Sequence, residues 1–220
     1  MIRNIDLNEI SDGRLYTAND MVKADCHDCK GCSSCCRDMG DSILLDPMDI
    51  WRLSHCLSMS FEEMMDKYIE LHMVDGMILP NLKMNEETES CSFLNEEGRC
   101  TIHPSRPGIC RLFPLGRVFE DGRFKYFLQI HECEKKDRTK VKVKKWIDTP
   151  NLKQYESFVA DWHNFLMKME ERVEGAEDAV AKQISMFLLQ TFYIKPYDRS
   201  KDFYPQYEER RGQAKMIFHV

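Results

Sequence analysis

The sequence predicts an α+β fold, mostly helical, in which a cysteine-rich, metal-nucleated core carries short β-hairpins and is braced by a C-terminal helical hairpin. Three observations predict it. Five thiols fall within eleven residues, Cys26-His-Asp-Cys29-Lys-Gly-Cys32-Ser-Ser-Cys35-Cys36. Cys91, Cys100, Cys110 and Cys133 follow among turn signals, and the last third of the chain has no cysteine but a helical period. This change of character predicts a cysteine-cluster domain over 1–145 and a helical hairpin with a tail over 146–220, packed on it.

Residues 1–25 read as a polar arm leading into the cluster. Asp46-Pro47 opens a helix, with Asp46 as N-cap and proline at the first helical position. Ser60-Phe-Glu-Glu63 is a capping-box pattern, and the apolar spacing after it predicts a helix to about Leu71. Gly76, Pro80 and a polar run make 73–90 short strand and loop. Cys91 to Cys100 reads as two short arms around a turn near Gly98, which would bring the two thiols together. Asp121-Gly122, between Leu115–Glu120 and Arg123–Ile130, is a strong hairpin signal that delivers Cys133 at its end. Leu152, Tyr155, Val159, Trp162, Leu166, Met169 and Val173 form one stripe on a long helix. A second helix is expected over about Glu177–Ile194. The polar residues after Pro196 are expected to be ordered only if docked.

Composition bounds the function. The chain has 220 residues, 43% hydrophobic and 31% charged, with a formal net charge of −6. That balance belongs to a globular protein and offers no general attraction to nucleic acid or anionic membrane. No apolar run approaches the roughly 20 residues that cross a bilayer, and the first ten residues lack the apolar core of a signal peptide. The expected location is therefore cytoplasmic, where thiols stay reduced, and ten cysteines there read as metal ligands before disulfides or redox thiols.

The ligand candidates are Cys26, Cys29, Cys32, Cys35, Cys36, Cys91, Cys100, Cys110 and Cys133. Cys56 stands alone on a helix and reads as a small core residue. The subset Cys26, Cys29, Cys32 and Cys36 has the C-x₂-C-x₂-C-x₃-C spacing of a bacterial ferredoxin run, but Arg37 follows it rather than proline. Adjacent side chains of an extended chain diverge, so Cys35 and Cys36 would serve different metals, or one would be core, unless a special turn joins them. Thiolates suit an iron–sulfur cluster, most simply [4Fe–4S], and zinc alike.

These residues resemble the CxxCxxCC family, described as zinc- or iron-chelating. The resemblance rests on Cys29-Lys-Gly-Cys32-Ser-Ser-Cys35-Cys36, Leu45-Asp-Pro-Met-Asp-Ile50, Cys91-Ser-Phe-Leu94 and Gly98-Arg-Cys100-Thr-Ile-His103. It continues through Arg106-Pro107, Cys110-Arg111 and Phe113-Pro114 to Cys133. It implies eight core cysteines, all the candidates except Cys26, which is an addition. Related domains occur in flagellin lysine methylases, where an iron–sulfur cluster is implied. The resemblance thus supports a metal site more than a reaction.

Around the thiols, Arg106 and Arg111 read as charge compensation for a Cys₄ site. His27, His103 and His131 read as supports or surface residues rather than ligands. The run from Lys135 to Lys145, seven basic residues in eleven, reads as a solvated face because no aromatic platform interleaves it. Three functions follow: a metal-binding module, an iron–sulfur oxidoreductase or transferase, and a structural zinc module for protein or nucleic-acid contacts. A redox or protein partner fits the first two, whereas nucleic acid has only the lysine run to support it.

Overall fold

The computed structural model describes residues 6–27 and 32–220, so Cys29 lies outside the described residues. Helix outweighs strand, about 45% against 23%, as an α+β fold requires. The N-terminal arm is not free chain but is woven into two sheets. A single turn, α1 (Leu7–Ile10), leads into β1 (Ser11–Tyr16), followed by β2 (Met21–Asp25). Only the end residues of β1, Ser11 and Tyr16, face inward, so its sequence lacks the alternation that would mark a strand.

Helix α2 (Pro47–Leu57) starts as its sequence demands. The Asp46 carboxylate accepts from the Asp49 amide at 2.8 Å, and the Asp49 carboxylate accepts from the Asp46 amide at 3.2 Å. Helix α3 (Phe61–Lys67) has the same reciprocal cap between Ser60 and Glu63. It stops four residues before the expected Leu71, because Ile69 instead opens β3 (Ile69–Val74), paired along its length with β4 (Met77–Leu82). The turn Asp75-Gly76 has both residues at positive φ, which closes a two-residue hairpin. That pairing buries Met77, Leu79 and Leu82.

Two residue pairs, β5 (Met84–Asn85) and β6 (Ser90–Cys91), form a small ladder before the cysteine loop. After α4 (Gly108–Leu112), β7 (Leu115–Glu120) and β8 (Arg123–Gln129) form the expected hairpin around Asp121-Gly122. β1 adds to the other side of β8, giving the order β1-β8-β7. β9 (Thr139–Lys142) pairs with β2, and its lysines 140 and 142 are exposed, as a solvated face predicts.

Short α5 (Val143–Ile147) precedes the long α6 (Leu152–Val173), which covers the predicted stripe and buries Tyr155, Val159, Trp162, Leu166 and Met169. α7 (Asp178–Leu188) runs into a π-helical segment, Leu189–Ile194. The polar stretch after Pro196 is docked: α8 (Phe203–Phe218) buries Phe203, Tyr207 and Ala214. Arg210 donates to the carbonyls of Thr191, Lys195 and Pro196 at 2.8–2.9 Å, and its guanidinium lies 3.5 Å from the Tyr197 ring centre. Buried cations paired with carbonyls disguised this helix as a surface tail.

The core has two parts. The larger is built from α2, α3, the β3–β4 hairpin and α6 to α8, and Cys91, Cys100 and Cys110 pack at its edge. The smaller gathers Tyr16, Val22, Leu112, Leu115, Tyr126, Leu128, Val143 and Ile147. Among the described residues, no helix is long and apolar enough to cross a membrane.

His163 on α6 is buried and stacks on Phe119 with ring centres 3.6 Å apart. Burial lowers its pKa from 6.5 to about 4. The unfolded chain therefore binds a proton that the folded chain refuses, so stability falls as pH drops from about 6.5 toward 4. Denaturant midpoints across that window should show this slope, and His163→Phe should flatten it.

Candidate metal centre

The candidate thiols gather by two routes. A 3₁₀ turn, Ser34–Cys36, closes on Ser33 and turns Cys35 and Cys36 toward the same side. The loop from Cys91 to Cys100 folds back through the Leu94–Cys100 bridge and the Asn95–Arg99 turn, as its sequence predicts. Helix α4 brings Cys110. All five, with Cys32, line one largely apolar cavity of about 90 Å³, walled by Met39, Ile43, Leu82, Phe93 and Ile102. The two adjacent cysteines therefore share a cavity, because the 3₁₀ turn removes the divergence of an extended chain.

The electrostatics match this grouping. The Cys35 thiol is pushed far up by its hydrogen bond with Cys36 and then by burial. Burial raises Cys91 and Cys100 as well, and each thiol feels the charge of Cys35. Burial pushes the Cys110 thiol well up, reinforced by Cys91, Asp49, Cys35 and Cys100. The Arg106 guanidinium at the cavity wall opposes this at Cys35 and Cys100. Arg106 also donates to Nε2 of His103, so that histidine braces the arginine rather than replacing a thiol. His27 and His131 are exposed.

Backbone amides already point at the sulfurs. Cys91 accepts from the Phe93 N–H, Cys100 from Ile102 and Cys133 from Lys135, in each case two residues on. Such bonds favour the thiolate and are the usual support of a metal-bound cysteine. Among the described residues, no three His, Cys, Asp or Glu side chains converge closely enough to hold a single ion. The thiols ring a space rather than meeting at a point.

Cys133 belongs to a different neighbourhood from the one its sequence position suggests. The thiols whose charges bear on it are Cys26 and Cys32, with Arg138 opposing them. Cys56 is exposed in the last turn of α2 and is not a core residue.

The cavity is held by a polar brace. Asp49, buried at the start of α2, accepts from the Gly108 amide at 2.8 Å with the carboxylate oxygen not used in its cap. A Cβ at Gly108 would lie 2.1 Å from the Tyr155 hydroxyl, so only glycine lets α4 approach this closely. Burial raises Asp46 to about 8 and Asp49 also upward, opposed by the charges of Arg52 and Arg117. Arg111, expected to compensate the thiols, faces the other way. It donates to the carbonyls of Asp148 (3.0 Å), Arg106 (3.2 Å) and Pro104, tying the proline-rich turn to the end of α5. Its sequence position beside Cys110 hid this role, because neighbours on one helical turn face different sides.

The sequence model of the CxxCxxCC family, "Putative zinc- or iron-chelating domain", matches residues 28–139, half of the chain. The chain belongs to this family. No curated protein and no solved structure matches it.

Arg111→Lys keeps the charge and removes the planar fork that reaches three carbonyls. It should cost about 2 kcal/mol in denaturant unfolding, and it should leave the thiol content unchanged by titration under denaturing conditions.

Proposed function

We propose that this chain is a metal-binding protein that holds an iron–sulfur cluster, most simply [4Fe–4S], in the cavity lined by Cys35, Cys36, Cys91, Cys100 and Cys110. The observation that carries this reading is the ring of these five thiols and Cys32 around one apolar space of about 90 Å³. A lone zinc ion needs four ligand atoms about 2.0–2.3 Å from one point. A cluster takes its cysteines spread around a larger inorganic body. The donor set fits: the sulfurs are soft ligands, amides of Phe93 and Ile102 already face two of them, and Arg106 offsets negative charge. Membership of a zinc- or iron-chelating family supports metal binding of either kind.

A bound cluster supplies one-electron transfer. The residues around it exclude water through Phe93, Ile102 and Met39, and hold its charge through Arg106. Six thiols for a cluster that takes four leave two sulfurs over. The hydrogen bond between Cys35 and Cys36 marks that pair as the place where the choice is made.

Protein purified without oxygen should be brown, with about four iron and four sulfide per chain, as one [4Fe–4S] cluster requires. Cys91→Ser and Cys110→Ser should each lower both contents at least roughly tenfold, and stability with them, because metal binding and folding share one free energy. Colourless wild-type protein carrying only zinc would sink the cluster reading.

The raised thiols fix the sign of the pH dependence. Metal must displace their protons, so retention against a chelator should weaken as pH is lowered from about 8 to 6, with protons released on reloading.

A further inference from the structure

Strand β3 carries its side chains the wrong way round for a surface strand. Leu71 and Met73 face solvent, 39% and 67% exposed, whereas Glu70 and His72 on the opposite face are half-buried. These two polar residues hold each other, with His72 Nε2 3.0 Å from Glu70 Oε1. Successive strand residues alternate between faces, so Leu71 and Met73 form one apolar face with the buried Ile69 at its end.

The backbone of the same strand is open along one edge. β3 pairs with β4 on one side, and among the described residues no strand pairs with the other. The contacts of β4 show which groups point where. Ile78 N–H donates to the Ser185 hydroxyl at 3.0 Å, the Pro80 carbonyl accepts from the Leu45 amide at 2.9 Å, and Leu82 N–H donates to the Ile43 carbonyl at 3.0 Å. These β4 residues turn their backbone groups away from β3. By the alternation of an antiparallel pair, their partners Met73, Leu71 and Ile69 turn theirs away from β4. Exposed edges are ordinarily blunted by lysine, proline or a bulge, and β3 has none of these.

We propose that β3 pairs through this edge with β3 of a second copy of the chain, antiparallel about a two-fold axis at Leu71. Charge sets the register. With Leu71 opposite the partner's Leu71, Glu70 meets the partner's His72 and His72 meets the partner's Glu70. These are the positions between backbone bonds, where side chains approach most closely. Leu71 exchanges both backbone bonds with the partner's Leu71, and Met73 with the partner's Ile69. Moving the axis by one residue would set His72 against His72 or Glu70 against Glu70. Lys67 before the strand and Asp75 after it bring further opposite charge to each end. The pairing covers Leu71 and Met73, the apolar surface that a lone chain leaves wet. One strand pair is small for an interface, so the dimer is a weak one controlled by concentration. None of this depends on which metal the cavity holds.

The test is sedimentation of the full chain, purified without oxygen, at about 5 and about 500 µM, a span suited to an interface of this size. The chain should be monomeric at the lower concentration and dimeric at the higher. Amide exchange read residue by residue should show Leu71 and Met73 protected only at the higher concentration. Glu70 and His72, whose amides point into the hairpin, should be protected at both. Leu71→Pro removes an outward N–H and should raise the dissociation constant at least roughly tenfold. Met73→Lys should do the same by charging the open edge, which covers the case in which the proline variant loses its hairpin. Glu70→Lys sets a cation against the partner's His72 and should weaken the dimer, and adding His72→Glu should recover it. A chain that stays monomeric at the higher concentration overturns the proposal, as does a dimer that Leu71→Pro and Met73→Lys both leave unchanged. A double charge variant no tighter than Glu70→Lys alone overturns the axis at Leu71.

Discussion

Burying six sulfurs around one apolar space is tolerable only if their charge is absent or countered. As bare thiols Cys35, Cys91, Cys100 and Cys110 stay protonated, because burial raises all four and neighbouring thiols add to it. As thiolates they need a cation in their midst. The surroundings of the sulfurs suit the second state. Amides face the sulfurs, a guanidinium lines the wall, and apolar side chains close the rest. None of these is needed by a set of neutral thiols, which pack as small hydrophobes.

The cavity is anchored to the helical core through one carboxylate. Asp49 caps its own helix and at the same time accepts from Gly108, two residues before Cys110. The start of α2 and the helix that presents a candidate ligand therefore move as one piece. Tyr155 on α6 presses against the same glycine, so the long C-terminal helix also bears on the site. Removing either contact would leave a buried polar group exposed to an apolar interior, a cost of about 1–3 kcal/mol for a single unmet bond.

Much of the fold was legible where local chemistry decides it. Asp46-Pro47, Ser60 with Glu63, and Asp121-Gly122 each specify a geometry within four residues, and the stripe from Leu152 to Val173 needs no partner to be read. What escaped was set by distant neighbours. Ile69 becomes strand because Leu82 pairs with it, β1 is a strand because β8 offers an edge, and α8 buries Arg210 because the carbonyls of Thr191, Lys195 and Pro196 accept from it. The list of thiols was legible, but their grouping was not. Nearness in sequence joined Cys35 and Cys36 to Cys26, whereas the 3₁₀ turn and Cys32 before it share a cavity with Cys91, Cys100 and Cys110.

The thiols also lie far apart along the chain, so a metal held between them would be a cross-link. Joining Cys35 to Cys110 closes a loop of roughly 75 residues, for which the chain-entropy treatment of a covalent bridge gives about 4 kcal/mol. With no disulfide among the described cysteines, the fold would gain from such a metal a topological restraint that a change in metal supply can undo.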